Sequence, residues 1–225
     1  MKKSIEEHAD RFDEAAAEYD NEGSDEYEAA VELVVAHARR GLSGSETVLD
    51  LGAGTGAVAL RLADGAGRVV GRDVSEGMLD RGREKAAERG IENASFGEGT
   101  FREPNYGGTV DVVVSNFAMH HLSDAEKREV VSVLDDLDPD RVVLGDVTFF
   151  GEPDPEATFY DPEVDDPATV GVLVDAFTDD GFVVSAVERI HDQVGVIVAD
   201  RPAVVPELTA GGNRVGAADE ESGDG

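Results

Sequence analysis

The stretch Val48-Leu49-Asp50-Leu51-Gly52-Ala53-Gly54-Thr55-Gly56 decides how this chain is read. An apolar run with one acid near its end passes into a turn with glycine at alternate positions. Glycine reaches backbone conformations closed to other residues and lets a ligand approach without meeting a Cβ. A strand feeding such a turn is suited to lie against a nucleoside-containing cofactor. Taken alone, the string leaves the cofactor open. Gly52, Gly54 and Ala57 also satisfy a dinucleotide fingerprint, and Asp73 lies about where a ribose-binding acid belongs.

Around this stretch, strands alternate with helices. Strands are predicted at 46–51, 68–73, 94–97, 110–115 and 141–147, and helices at 56–63, 75–89, 123–136 and 167–180. β-Branched runs such as Val110-Asp111-Val112-Val113-Val114 indicate a parallel sheet covered on both faces. Two further strands, Phe182-Val183-Val184-Ser185-Ala186-Val187 and Val194-Gly195-Val196-Ile197-Val198-Ala199, read as a hairpin through His191-Asp192. Upstream, Ile5, Ala9, Phe12, Ala16 and Tyr19 recur at helical spacing, which predicts a helix over 4–20. A second is predicted at 25–40, with Ser24 as its N-cap. The expected architecture is α/β: a Rossmann-like, seven-stranded, mostly parallel sheet with an antiparallel last strand and helices on both faces. The expected division is a helical cap at 1–45, a core at 46–202 and an acidic, disordered tail at 203–225. Residues 151–166, rich in Pro, Asp and Glu, read as a loop or lid.

The formal net charge is −31, with lysine only at positions 2, 3, 85 and 127. Acids are spread along the whole chain, so like-charge repulsion weakens the compact state at low ionic strength. Molar salt shortens the Debye length to roughly 3 Å and removes most of that repulsion. The expectation is a salt-adapted, halophilic cytoplasmic protein. The charge argues against a nucleic-acid partner, which needs a basic surface. No apolar run reaches membrane-spanning length, and cysteine is absent, which excludes disulfides and thiolate chemistry.

Three segments, in order and spacing, carry a resemblance. They are Val48 to Gly56, Val69-Val70-Gly71-Arg72-Asp73-Val74-Ser75-Glu76-Gly77-Met78-Leu79, and Asp111-Val112-Val113-Val114-Ser115-Asn116-Phe117-Ala118-Met119-His120-His121-Leu122. Across roughly residues 10 to 200 the sequence resembles the class I S-adenosylmethionine-dependent methyltransferases, small-molecule branch. The resemblance implies an enzyme moving a methyl group from S-adenosyl-L-methionine to a small-molecule acceptor by in-line displacement. It implies that Gly52, Ala53 and Gly54 lie against the cofactor and that Asp50 faces its methionine ammonium. Asp73 would accept hydrogen bonds from both ribose hydroxyls, because a carboxylate offers two acceptor oxygens. Val74 and Met78 would flank the adenine, and Asn116 would lie near the methionine end. Tyr19, in Phe12-Asp13-Glu14-Ala15-Ala16-Ala17-Glu18-Tyr19-Asp20, would point at the cofactor from a covering helix, or pack on the sheet as part of an amphipathic one.

The third strand departs from the family. Many relatives end it with Gly-Asp, whose acid receives the adenine amino group; here Gly99-Thr100-Phe101 stands in that place. Thr100 would accept that bond more weakly than a carboxylate, and Glu98 is the alternative. His120 and His121 are candidates for a catalytic base or an acceptor-pocket wall, and no metal is expected. Two other readings stay open. One is a non-catalytic cofactor-binding or regulatory protein of the same fold. The other is an NAD-dependent oxidoreductase, although a second dinucleotide half and a Tyr-x-x-x-Lys pair are missing.

Overall fold

The computed structural model describes residues 2–21, 23–152 and 159–202, and the structural statements below concern these residues. The tail expected at 203–225 and part of the loop expected at 151–166 lie outside them.

Seven strands form one continuous sheet. β1 (Thr47–Leu51), β2 (Arg68–Asp73), β3 (Ala94–Glu98), β4 (Val112–Asn116) and β5 (Arg141–Phe149) are parallel. A two-residue strand, β6 (Ala168–Thr169), pairs with the end of β5, which the sequence reading missed. β7 (Val183–His191) and β8 (Val194–Asp200) form the predicted hairpin, and β8 runs antiparallel to β5. The order is β3-β2-β1-β4-β5-β8-β7. Chain order reverses between β1 and β4. In open α/β sheets the crevice beyond the carboxyl ends at such a point is where ligands bind. The glycine turn leaves β1 there, and the Asn116 loop leaves β4 beside it.

Alternate residues of each strand feed opposite faces. Val48, Val69, Val112, Val114 and Val143 join one core with α2 (Asp25–Arg39), α3 (Ala59–Leu62) and α4 (Glu76–Glu88). Leu49, Leu51, Val70, Val113 and Leu144 join the other with α5 (Asp124–Asp136) and α6 (Val170–Asp179). Strands buried on both sides must be apolar throughout, which is why β1 and β4 are. Asp50 in β1, at 2% exposed, and Ser115 and Asn116 at the end of β4 are the buried polar exceptions.

Serine and threonine start every α-helix but α3 by accepting an orphan backbone N–H, a device worth about 1 kcal/mol. Ser4 and Ser123 form reciprocal boxes with Glu7 and Glu126, and Ser24, Ser75 and Thr169 cap singly. The helix expected over 4–20 stops early. α1 spans Ile5–Ala15, and Tyr19–Asn21 is a separate 3-10 turn. The cause is tertiary. Asp20 accepts the Thr55 hydroxyl at 2.6 Å and the Lys85 ammonium at 2.8 Å, which draws the segment onto the core. No helix among the described residues is long and apolar enough to cross a membrane.

Candidate functional site

The turn after β1 is set by its glycines. Gly52 and Gly54 have φ of +69° and +51°, in the left-handed region. A Cβ on Gly52 would lie 2.4 Å from the Ala118 Cβ, whereas one on Gly54 would meet nothing within 4 Å. Gly52 therefore allows two loops to close together, and Gly54 leaves the cavity side open.

Asp73 at the end of β2 locks this turn. Its Oδ2 accepts the Gly54 N–H at 2.8 Å and its Oδ1 accepts the Ser75 N–H at 3.0 Å. Burial raises its carboxyl above the ordinary range, and these backbone bonds work against the rise. Each oxygen keeps acceptor capacity, because a carboxylate oxygen takes about two bonds. Asp50 is deeper. Its Oδ2 accepts the Ala59 N–H at 3.0 Å. Burial pushes its carboxyl up to about 7; the Ala59 bond opposes this and the Asp73 charge adds to it. A cation beside Asp50 would favour its charged form.

All eleven residues predicted to hold a cofactor line one cavity of about 360 Å³. Tyr19, Asp50, Gly52, Ala53, Gly54, Asp73, Val74, Met78, Thr100, Phe101 and Asn116 converge there from five segments. Asn116 brings a buried amide whose oxygen and nitrogen have no hydrogen-bond partner among the described residues. Burial, with the Asp73 charge, pushes the Tyr19 phenol up to about 12, so its hydroxyl stays a donor. A cationic head at Asp50, a vicinal diol at Asp73 and polar groups at Asn116 fit the donor set of S-adenosylmethionine.

Where the sequence expects the adenine, Thr100 lines the cavity and Glu98 does not. The Thr100 hydroxyl already accepts the Glu103 N–H at 2.9 Å, while the Thr100 N–H donates to the Glu103 carbonyl at 2.9 Å. This small turn brings Glu103, a carboxylate the sequence reading missed, to the cavity wall. Ile5, His8, Tyr27 and Phe117 were also missed. Ile5, His8 and Tyr27 come from distant segments that no local motif marks, whereas Phe117 follows Asn116 within the segment already quoted. Phe117 has one signal that only coordinates give: a φ of +52°, which is strained for a bulky side chain.

The acids of the N-terminal segment serve as bolts. Asp13 Oδ1 accepts the Ser75 hydroxyl at 2.5 Å and the Gly77 N–H at 2.9 Å, and Asp20 binds Thr55 and Lys85. The aromatics Phe12 and Tyr19, each directly before one of these bolts, line the cavity.

A second chamber of about 700 Å³ adjoins the first. Phe12, Tyr19, Tyr27, Phe117 and His121 line both; His120 lines only the second. His120 Nδ1 lies 2.6 Å from Asp146, and His121 Nδ1 lies 2.6 Å from Asp165. His120, His121 and Asp165 could offer one metal ligand atom each within 4.8 Å of one another. That spread exceeds the roughly 3.3 Å edge of a zinc tetrahedron, and a carboxylate already engages one nitrogen of each imidazole.

Residues 48–137 match a family model described as a methyltransferase domain. An uncharacterised methyltransferase of Bacillus velezensis is 35% identical over 151 residues, which is 61% of this chain and 66% of its own length. The chain thus spans about two thirds of that relative. Magnesium protoporphyrin IX methyltransferase from Synechocystis, solved with S-adenosylmethionine bound, superposes with a TM-score of 0.59 at 22% identity, covering 78% of each chain. Geranyl diphosphate C-methyltransferase from Streptomyces coelicolor, solved with S-adenosyl-L-homocysteine, gives 0.66 at 16% identity, covering 78% of this chain and 77% of that one. These two likenesses are of fold. With the glycine turn, the two buried acids and the reversal between β1 and β4, the matching domain model and the Bacillus velezensis relative place the sequence: the chain belongs to the class I S-adenosylmethionine-dependent methyltransferases.

Proposed function

We propose that this methyltransferase transfers the methyl group to a small-molecule acceptor by in-line displacement. The observation that carries the reading is the pair of joined chambers. One has the glycine turn and the acids suited to the cofactor, and the other is walled by aromatic rings and histidines. S-Adenosylmethionine supplies a methyl group already activated on a sulfonium. The protein's part is then largely orientation and exclusion of water.

Asp73 would hold the ribose hydroxyls, Asp50 the ammonium and Asn116 the carboxylate end. Val74, Met78 and Phe101 would flank the adenine. Tyr19 and Phe12, held in place through Asp13 and Asp20, would cover the junction where donor and acceptor meet. Residues 1–45 would form the cap and 46–202 the core. The −31 charge disfavours a nucleic-acid acceptor. Structures of this fold include enzymes for magnesium protoporphyrin IX and geranyl diphosphate, both small acceptors, which supports the same class here.

The test is transfer of labelled methyl from S-adenosylmethionine into a cell extract, followed by separation by size. Label in the small-molecule fraction is expected. Label confined to protein or nucleic acid would contradict the proposal.

A further inference from the structure

The second chamber collects polar groups that cofactor binding does not use. Of its two histidines, only His121 also lines the first chamber, so it stands at the junction. His120 is anchored behind it. Asp146 holds the His120 Nδ1 at 2.6 Å and also accepts the Met119 and Val147 N–H groups at 2.8 and 2.7 Å. That makes the His120–Asp146 pair a brace for the loop after β4.

His121 is held differently. Its Nδ1 meets Asp165 Oδ1 at 2.6 Å, and Asp165 Oδ2 accepts the Asp161 N–H at 2.7 Å. Burial alone would raise the Asp165 carboxyl, but the bonds from His121 and Asp161 outweigh it and hold it at about 2. An ionised carboxylate can only accept, so Nδ1 carries the proton and Nε2 keeps its lone pair. Lys2 fixes the same segment by donating to the Asp165 carbonyl at 2.5 Å. His8 of α1 packs its ring 4.8 Å from His121, and neither of its nitrogens has a partner among the described residues. The groups facing His121 are thus His8 from α1, His120 beside it, Asp146 from β5 and Asp165. Burial, aided by the His120 charge and opposed by the Asp165 hydrogen bond and the charges of Asp165 and Asp146, leaves the His121 imidazole below its ordinary pKa, neutral at neutral pH.

We propose that His121 is the general base for the acceptor and Asp165 its positioning residue. The acceptor is then a flat aromatic compound that presents a phenol-like hydroxyl at the junction. This rests on the small-molecule reading above. Phe12, Tyr19, Tyr27, Phe117 and Tyr160 supply the aromatic walls such a ring stacks against. In the step, the acceptor O–H bond breaks and its proton passes to His121 Nε2. An oxygen lone pair forms the new O–CH₃ bond, and the C–S bonding pair leaves on sulfur. His8, whose nitrogens have no partner among the described residues, lines the first chamber beside His121.

The test uses the full chain with ¹⁵N-labelled histidine. At neutral pH the His121 signals should report the Nδ1–H tautomer with a bare Nε2, and Asp165→Asn should erase that preference. An Nε2–H tautomer in the wild type would overturn the dyad. In the extract assay, His121→Gln should lower labelling of the small-molecule fraction by about 100-fold or more. S-Adenosylhomocysteine affinity by calorimetry should stay within about twofold, which also shows that the variant is folded. The acid limb of the rate profile should move in Asp165→Asn. Wild-type transfer by His121→Gln would overturn the base assignment alone. A wild type that labels only macromolecules would overturn the small-molecule reading, while the tautomer signals still decide the dyad. Loss of transfer on chelation, restored by zinc, would assign the histidines to a metal and overturn the proposal.

Discussion

The two chambers differ in how they are built. The first is shaped by backbone: positive-φ glycines, strand ends in register, and a carboxylate whose two oxygens brace the turn beside it. The second is shaped by side chains from α1, the 3-10 turn, the loop after β4 and residues 159–165, held by long-range bonds. A backbone cradle tolerates drift in the surrounding sequence but almost no change at the cradle itself. A side-chain chamber can change its walls without disturbing the fold. That contrast predicts where substitutions hurt and which property they hurt.

The largest effect is expected at Asp73. Asp73→Ala removes two prospective charge-assisted bonds to the cofactor and the brace on Gly54, roughly 3 kcal/mol or about 150-fold in affinity. Calorimetric titration with S-adenosylhomocysteine measures it; a change under about fivefold would break the contrast on the cofactor side.

Next is Gly52→Ala. The added Cβ meets Ala118 at 2.4 Å in a backbone conformation that already strains an L-residue, so we expect a stability loss of about 2 kcal/mol. Urea unfolding with an unaltered midpoint would show that the loops are not tightly closed.

Asp50 sharpens the same side through pH. An acid whose folded pKa is raised stabilises the fold only below its unfolded value, and that contribution is lost as pH rises through the folded value. Here the window runs from about 4 to about 7. The melting temperature of Asp50→Asn relative to wild type, both without ligand, should therefore climb across that window and level off above it. A flat difference would place Asp50 in a wetter setting.

Tyr19→Phe is smaller. It removes one hydroxyl at the junction and leaves the ring, so cofactor affinity should weaken by about 1 kcal/mol, roughly fivefold. Unchanged affinity would move Tyr19 to the acceptor side of the comparison.

Least is expected of Thr100→Ala. The hydroxyl is already committed to the Glu103 N–H, so cofactor affinity should shift by no more than about twofold. A tenfold loss would restore Thr100 as a direct adenine partner.

The sequence made the first chamber legible because its parts are local. Glycines in a strand-to-turn string and an acid at a strand end announce a backbone shape wherever they occur, and the structure gathers all eleven named residues around one cavity. The second chamber was mostly illegible. Asp165 reaches His121 across 44 positions, and Lys2 reaches Asp165 across 163. No periodicity encodes such meetings. The early end of α1 was hidden for the same reason, since the Asp20 bonds to Thr55 and Lys85 are tertiary. Three of the four lysines, at 2, 85 and 127, are spent on bonds of this kind around the site. In an acid-rich chain, scarce ammonium groups serve as clamps more than as surface charge.

The central claim is that the turn after β1, braced by Asp73, is an S-adenosylmethionine site. Calorimetric titration of the full chain in molar KCl, with S-adenosylmethionine and separately with NADH, tests it most directly. Saturable one-to-one binding of S-adenosylmethionine, abolished in Asp73→Ala, with no heat from NADH, is the predicted result. Binding of NADH with none of S-adenosylmethionine would contradict it.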